Sequence, residues 1–315
     1  MPQVAFFQKK FVPLEDAKVN IMTHALHYGT ACFEGIRGNW NEEEQQIYLF
    51  RIKEHYERLQ RSCRIIKINL AFSVEELCRI TVELVKKNGL REDIYLRPLA
   101  YKSSLTIGVR LHGLDDDFFL FVVPFGNYLD VTRGIKCCVS SWRRIDDNII
   151  PPRAKVTGLY VNSALAKTEA FENGYDEAIL LSQNGHVSEG SGENIFIINN
   201  GKLITPPATD NILLGITRDT IIQVAKEELG IETEERSIDR SELYLANECF
   251  LTGTAAHVTP VLEIDHRPVG DGQIGKISRE LQNLYFDIVR GKNKKYSHWC
   301  TPAYAKVGQS SRLSK

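Results

Sequence analysis

Strands and helices follow one another irregularly along this chain, and that mixed order constrains its fold more than any other feature. Ile52 to Ile66 reads as a helix, because Leu59, Cys63 and Ile66 fall on one face. Ser73-Val74-Glu75-Glu76 reads as a capping box, in which Ser73 and Glu76 satisfy each other's free amides, and the helix it opens runs to Gly89. Tyr95 to Tyr101 and Phe118 to Val123 read as strands, the second continuously apolar, as in a strand buried on both faces. Pro124-Phe125-Gly126-Asn127 is dense in turn residues and marks a linker. Beyond it come a strand at Ile135 to Trp142, a helix at Leu159 to Asn173 and strands at Asp176 to Ser182 and Asn194 to Ile198. Two further helices are expected: Ile216 to Leu229, with Ile221, Ile222, Ala225 and Leu229 inward, and Ile277 to Val289. This order predicts two α+β domains rather than a regular βαβ sheet: residues 1–123, a linker at 124–133, and 134–315, with 292–315 a loose polar tail.

The chain is long and apolar enough for a sizeable core, at 315 residues and 43% hydrophobic. A formal net charge of −1 gives no electrostatic footprint for nucleic acid or an anionic membrane, so the expected partner is a small molecule or another copy of the chain. No apolar run approaches the roughly 20 residues that span a bilayer. Met1 to Asp16 lacks the apolar core of a signal peptide, and the expected compartment is the cytoplasm. Seven cysteines without a Cys-x-x-Cys suggest neither a disulfide framework nor a zinc site, and no metal is expected.

The usual phosphate, dinucleotide, metalloprotease and serine-hydrolase signatures are absent; Gly190 and Gly192 begin a Gly-x-Gly, but position 195 is Ile. What remains is a set of unusual loops. Pro151-Pro152-Arg153-Ala154-Lys155 lies between a strand and a helix, and a lysine held there becomes a nucleophile when it is desolvated. Val187 to Asn194 is a polar, glycine-rich segment between strands. Gly215-Ile216-Thr217-Arg218-Asp219 opens a helix, whose free amides suit phosphate. Thr252-Gly253-Thr254-Ala255-Ala256 follows a strand at Glu248 to Leu251, and such small residues let backbone amides approach an anion. Each segment alone also reads as an ordinary surface lysine, hairpin loop, helix start or tight turn.

Taken together and in order, these segments resemble the branched-chain amino acid aminotransferases, pyridoxal 5′-phosphate (PLP) enzymes of fold type IV. The resemblance runs from about residue 4 to 292 and includes His24-Ala25-Leu26-His27-Tyr28-Gly29-Thr30, Phe33-Glu34-Gly35-Ile36-Arg37, Tyr95-Leu96-Arg97-Pro98, Ala154-Lys155, Ser188-Glu189-Gly190-Ser191-Gly192-Glu193-Asn194, Gly215-Ile216-Thr217-Arg218 and Gly253-Thr254-Ala255-Ala256. It implies an α+β fold with a small N-terminal α/β domain and a larger C-terminal pseudo-barrel domain. It also implies amino transfer between leucine, isoleucine or valine and 2-oxoglutarate.

Residue by residue, the resemblance implies that Lys155 holds PLP as a Schiff base and then moves the proton at Cα. Glu189 would face the pyridine nitrogen and Tyr160 would bond the ring hydroxyl. Arg58, the amides of Ile216 and Thr217, and Thr254 would hold the phosphate. Ala255, Ala256 and Tyr95 would receive the substrate α-carboxylate; Tyr28, Phe33, Gly35 and Phe125 would wall its side chain; Arg97 would meet the distal carboxylate of glutamate. Tyr128 and Val109 resemble residues lent by a neighbouring subunit, implying a homodimer or a higher homo-oligomer acting on amino acids and 2-oxo acids.

Two departures bear on substrate range rather than reaction type: Leu159 stands where relatives carry Asn, and Phe125 where many carry Trp. Other fold type IV enzymes remain alternatives: D-amino acid aminotransferase, (R)-amine aminotransferase and aminodeoxychorismate lyase. The combination of Tyr28, Phe33, Gly35, Tyr95 and Arg97 favours the branched-chain type. A non-catalytic PLP-binding protein would have no need of Lys155, Glu189 and Tyr160 together.

Overall fold

The computed structural model describes residues 3–126 and 128–304. Asn127 of the expected linker and residues 305–315 of the expected tail lie outside the described residues. Helices form where local signals are strong. The capping box is present: Ser73 Oγ accepts from the Glu76 amide at 3.2 Å, and the Glu76 carboxylate accepts from the Ser73 amide at 2.8 Å. That helix, Val74–Asn88, ends on Gly89 in the left-handed conformation. Ile52–Ile65, Ile216–Leu229 and Lys276–Val289 fall within a residue of the predicted bounds. In Ile216–Leu229, Val224 is fully buried while Ile222 and Leu229 are half-buried.

Two sheets carry the architecture. The first has eight strands in the order Cys300–Pro302, Gln46–Phe50, Ile36–Asn41, Ile94–Lys102, Asp116–Pro124, Val4–Phe7 and Lys10–Pro13, with Ala31–Phe33 also paired to Ile94–Lys102. Every pairing in it is antiparallel. The second has nine strands in the order Val187–Gly190, Glu177–Leu181, Ile135–Arg143, His257–Ile264, Glu248–Gly253, Asn194–Asn199, Lys202–Thr205 and Thr233–Glu235, with Arg267–Pro268 beside His257–Ile264. Its parallel pairs need crossovers, and the helices Tyr160–Glu172 and Ile216–Leu229 supply two of them. The sheet curls until its first strand approaches Asn194–Asn199, where the Gly190 amide donates to the Glu193 carbonyl at 2.6 Å. This curled sheet is the expected pseudo-barrel.

Three sequence expectations are corrected here. Asp116–Pro124 is not buried on both faces: Phe118, Leu120 and Val122 are buried, while Phe119, Phe121 and Val123 are half-buried. Its sheet is antiparallel, and Phe118, Leu120 and Val122 share a buried core with Leu77 and Leu84 of the Val74–Asn88 helix on one face. Val187–Gly190, read as loop, is a strand, so the polar segment turns only at Ser191 to Glu193. Of the tail expected to be loose, the described residues 293–304 are docked. Lys294–Trp299 forms a 3₁₀ helix, and Cys300–Pro302 returns to the first sheet beside Gln46–Phe50.

Docking of that segment has an energetic consequence. Trp299 stacks on Tyr296 with ring centroids 4.8 Å apart, meets Phe50 edge-on at 6.2 Å, and lies under the Arg51 guanidinium at 4.9 Å. Trp299→Ala should therefore cost about 3–5 kcal/mol of stability, as for a buried aromatic. Urea unfolding measures this, and a loss below about 0.5 kcal/mol would mean that the segment behaves as free surface.

The six buried cysteines are free thiols in the apolar interior, with Cys78 half-buried. Among the described residues there is no metal-ligand cluster, and no helix is long and apolar enough to cross a membrane.

Candidate active site

The two sheets meet around a cavity of about 500 Å³. Lys155 enters it from the segment leading to the Tyr160–Glu172 helix. The backbone at Lys155 is pinned to the N-terminal half: its amide donates to Ser62 Oγ at 3.1 Å, and its carbonyl accepts from the Phe33 amide at 3.0 Å. Its Nζ donates to the Tyr160 hydroxyl at 2.6 Å. Lys155 is the sole side-chain amine among the described residues lining the cavity.

Glu189 lines the same cavity from the Val187–Gly190 strand and is 5% exposed. Burial pushes its carboxyl above the ordinary carboxylate range, against the opposing charge of Arg144. Its hydrogen bonds are nearly complete. Arg144 meets Oε1 at 2.6 Å, while Oε2 accepts from Asn194 Nδ2 and from the Leu213 amide, each at 3.0 Å. Neither Arg144 nor Asn194 was given a role from sequence. Asn194 stood inside the glycine-rich motif, whereas Arg144 lies 45 residues before Glu189 in a stretch with no local signal.

Arg58 projects from Ile52–Ile65 and is gripped by Glu34, which is fully buried. Burial raises the Glu34 carboxyl, but the charge and hydrogen bonds of Arg58, with His55, hold it well below the ordinary carboxylate range. The helix Ile216–Leu229 opens on Gly215 with no side-chain cap, so its first amides are free. Ile216, Thr217 and Thr254 line the cavity. A Cβ at position 215 would collide with Asn194 Oδ1, so glycine lets that helix start approach the Glu189 support.

Phe33, Gly35, Tyr95, Arg97 and Phe125 line the cavity together. Gly35 is required by its neighbour, because a Cβ there would overlap the Tyr95 hydroxyl. Arg97 lies 4.5 Å from the Phe33 ring centroid and 5.2 Å from that of Tyr95, and it donates to the Tyr95 hydroxyl at 2.9 Å. Arg37, quoted in the motif without a role, ties the linker to the small-residue turn: it donates to the carbonyls of Phe125, Gly126 and Ala255 at 3.0, 2.7 and 3.2 Å. Glu193 also lines the cavity; burial and the charge of Glu177 push its carboxyl up to about 8.

Four expected site residues are placed differently. Tyr128, expected from a neighbouring subunit, lines the cavity of its own chain. Tyr28 does not line it; its hydroxyl accepts from the Gly108 amide at 3.1 Å, beside Val109, which is 90% exposed and also outside the cavity. Ala255 lines the cavity, but Ala256 is fully buried behind it. Leu159, the departure after the lysine, is buried and does not line the cavity either.

The lining fits a phosphorylated pyridine aldehyde. It offers an amine, a hydroxyl beside that amine, a buried carboxylate, an arginine and a free helix N-terminus. Three buried polar atoms of lining residues, Thr252 Oγ1, Ser163 Oγ and Arg97 Nε, have no partner among the described residues, as expected of a wall built for a polar ligand.

Comparison with known proteins agrees. Residues 31–264 match the family described as amino-transferase class IV. A probable branched-chain-amino-acid aminotransferase of Aquifex aeolicus is 57% identical over 302 residues, covering 96% of this chain and 97% of that protein. The crystal structure of a branched-chain aminotransferase from Thermoproteus uzoniensis with norvaline has a TM-score of 0.92 at 46% identity, covering 96% of this chain and 100% of that one. The PLP form of the branched-chain amino acid aminotransferase from Thermobaculum terrenum has a TM-score of 0.92 at 40% identity, covering 96% and 99%. The family and the fold expected from the motifs are thus borne out, and the chain belongs to the class IV aminotransferases, among the branched-chain-amino-acid aminotransferases.

Proposed function

We propose that this cavity exchanges the amino group of leucine, isoleucine or valine with 2-oxoglutarate, with pyridoxal 5′-phosphate held at Lys155. When bound, that cofactor supplies an electron-withdrawing ring conjugated to the substrate nitrogen, which acidifies the bond at Cα. Lys155 would hold the cofactor's aldehyde and, as the one side-chain amine among the described lining residues, would carry the proton to and from Cα. The Tyr160 hydroxyl, 2.6 Å from Nζ, orients that amine and would bond the ring oxygen. Glu189, held by Arg144 and Asn194, would face the ring nitrogen and favour its protonated form. Arg58, the Ile216 and Thr217 amides and Thr254 take the phosphate, and the Ala255 amide with Tyr95 takes the α-carboxylate. Phe33, Gly35 and Phe125 wall the side-chain pocket, and Arg97 receives the second carboxylate of glutamate.

We further propose that the boundary between the two domains lies in residues 124–133, that the enzyme works in the cytoplasm, and that it is at least a dimer. Support for the dimer comes from an exposed apolar face around Tyr28 and Gly108, where Ile21, Leu26, Ile107 and Val109 are 79%, 63%, 61% and 90% exposed. A patch of this kind calls for a covering partner. Covering by a second copy would bring Val109, with Tyr28 beneath it, to the neighbouring cavity.

The observation that carries the catalytic reading is Lys155 Nζ held against Tyr160 in a cavity with a buried carboxylate. The purified protein should be yellow with bound cofactor, and borohydride should fix the cofactor covalently to Lys155. Lys155→Ala should still bind cofactor but transfer no amino group from L-leucine to 2-oxoglutarate. A colourless protein that gains no visible absorbance on adding PLP would overturn the reading.

A further inference from the structure

Arg58 is an unusually constrained arginine. Its guanidinium has five N–H groups in a rigid fork. Glu34 takes two of them side-on, with Oε1 accepting from Nε at 2.7 Å and Oε2 from Nη2 at 2.7 Å. Nη1 donates to the Leu214 carbonyl at 2.9 Å, immediately before the Gly215 helix start. Each nitrogen is thus fixed by one acceptor, leaving one N–H on Nη1 and one on Nη2 for an anion in the cavity. Behind this fork stands His55, 2% exposed, whose Nδ1 lies 2.8 Å from Glu34 Oε2. An ionised carboxylate only accepts, so His55 carries its proton on Nδ1 and donates.

We propose that Glu34, steadied by His55, is a positioning residue that aims Arg58 and thereby makes the site select for the phosphate of its cofactor. The proposal rests on the assignment of Arg58 to that phosphate. Two effects of Glu34 oppose each other. Its charge offsets that of Arg58, so removing it would tighten phosphate binding if charge alone mattered. Its fork fixes a long side chain before the ligand arrives, so that little rotamer freedom remains to be lost on binding. In Glu34→Gln the amide nitrogen would face an arginine N–H, and one arm of the fork would become a donor–donor contact. The guanidinium would turn away, so geometry outweighs charge.

The test is the ratio of affinities for pyridoxal phosphate and for pyridoxal, the same aldehyde without the phosphate. Wild type, Glu34→Gln, Glu34→Asp and Arg58→Lys are stripped of cofactor and titrated with each compound by visible absorbance. Glu34→Gln should reduce the preference for the phosphorylated compound by about tenfold or more, with pyridoxal affinity within about threefold of wild type. Glu34→Asp keeps the charge, so Arg58 stays paired and the protein folds, but its shorter arm cannot span the fork. Its preference should fall in the same direction, and it decides the matter if Glu34→Gln does not fold. Equal weakening of both compounds would make Glu34 a merely structural residue, and an unchanged or increased preference would also overturn the proposal. If Arg58→Lys leaves the preference intact, the phosphate assignment itself is wrong. If Arg58→Lys lowers it while both Glu34 variants keep it, the positioning role alone is lost.

Discussion

Arg97→Ala is expected to weaken the glutamate half-reaction by about 2–5 kcal/mol, the range for removing one partner of a buried charge pair. One pocket must accept an isobutyl group and a carboxylate in turn. The rings of Phe33 and Phe125 suit the first, whose burial is worth about 2 kcal/mol. The second would lose its hydration there at a large cost unless a cation met it. In the proposed function Arg97 is that cation. Among the described residues it has no acidic partner; it lies between the Phe33 and Tyr95 rings, with a buried Nε that bonds nothing in the chain. It donates a hydrogen bond to Tyr95, so the leucine half-reaction should also suffer, but only by about 0.5–1.5 kcal/mol through a loosened Tyr95. Single-turnover conversion of the bound cofactor to its amine form measures the two halves separately. Equal losses for both amino acids would show that Arg97 supports the pocket or the α-carboxylate, and dual recognition would have to be abandoned.

Glu189→Gln should lower turnover roughly 10²-fold or more, the scale of about 3 kcal/mol of transition-state stabilisation. Gln keeps the size and removes the charge proposed to hold the ring nitrogen protonated. The surroundings sharpen this expectation. Arg144, Asn194 Nδ2 and the Leu213 amide all donate to Glu189, so the amide nitrogen of Gln would meet a donor in either orientation. That misfit should cost a further 1–3 kcal/mol or so of stability. Turnover must therefore be read with the cofactor shown bound and the protein shown folded, by visible absorbance and thermal unfolding. Near wild-type turnover under those conditions would remove Glu189 from the ring nitrogen.

Much of this protein was legible in its residues because the decisive signals are local. The Ser73 capping box, the left-handed Gly89 and Gly230 and the apolar spacing of Ile52–Ile65 act within a turn or two of chain, so they specify their elements before any tertiary contact forms. The Lys155, Glu189, Gly215 and Gly253 segments were recognisable as motifs, and the fold gathers them around one cavity. Short strands were harder. Ile36–Asn41 buries Arg37, Asn39 and Asn41, so polar side chains hide its alternation. Side-chain partnerships were out of reach, because each joins residues far apart in sequence: Arg144 to Glu189, Glu34 to Arg58, Arg37 to the Ala255 turn. A charged residue looks the same in sequence whether solvated or buried, and only packing supplies the low-dielectric surroundings that turn it into a support for a neighbour. The same holds for residues 293–304, polar on average yet docked through Tyr296, Trp299 and Cys300, and for Tyr128, which lines the cavity of its own chain although nothing local in the sequence says so.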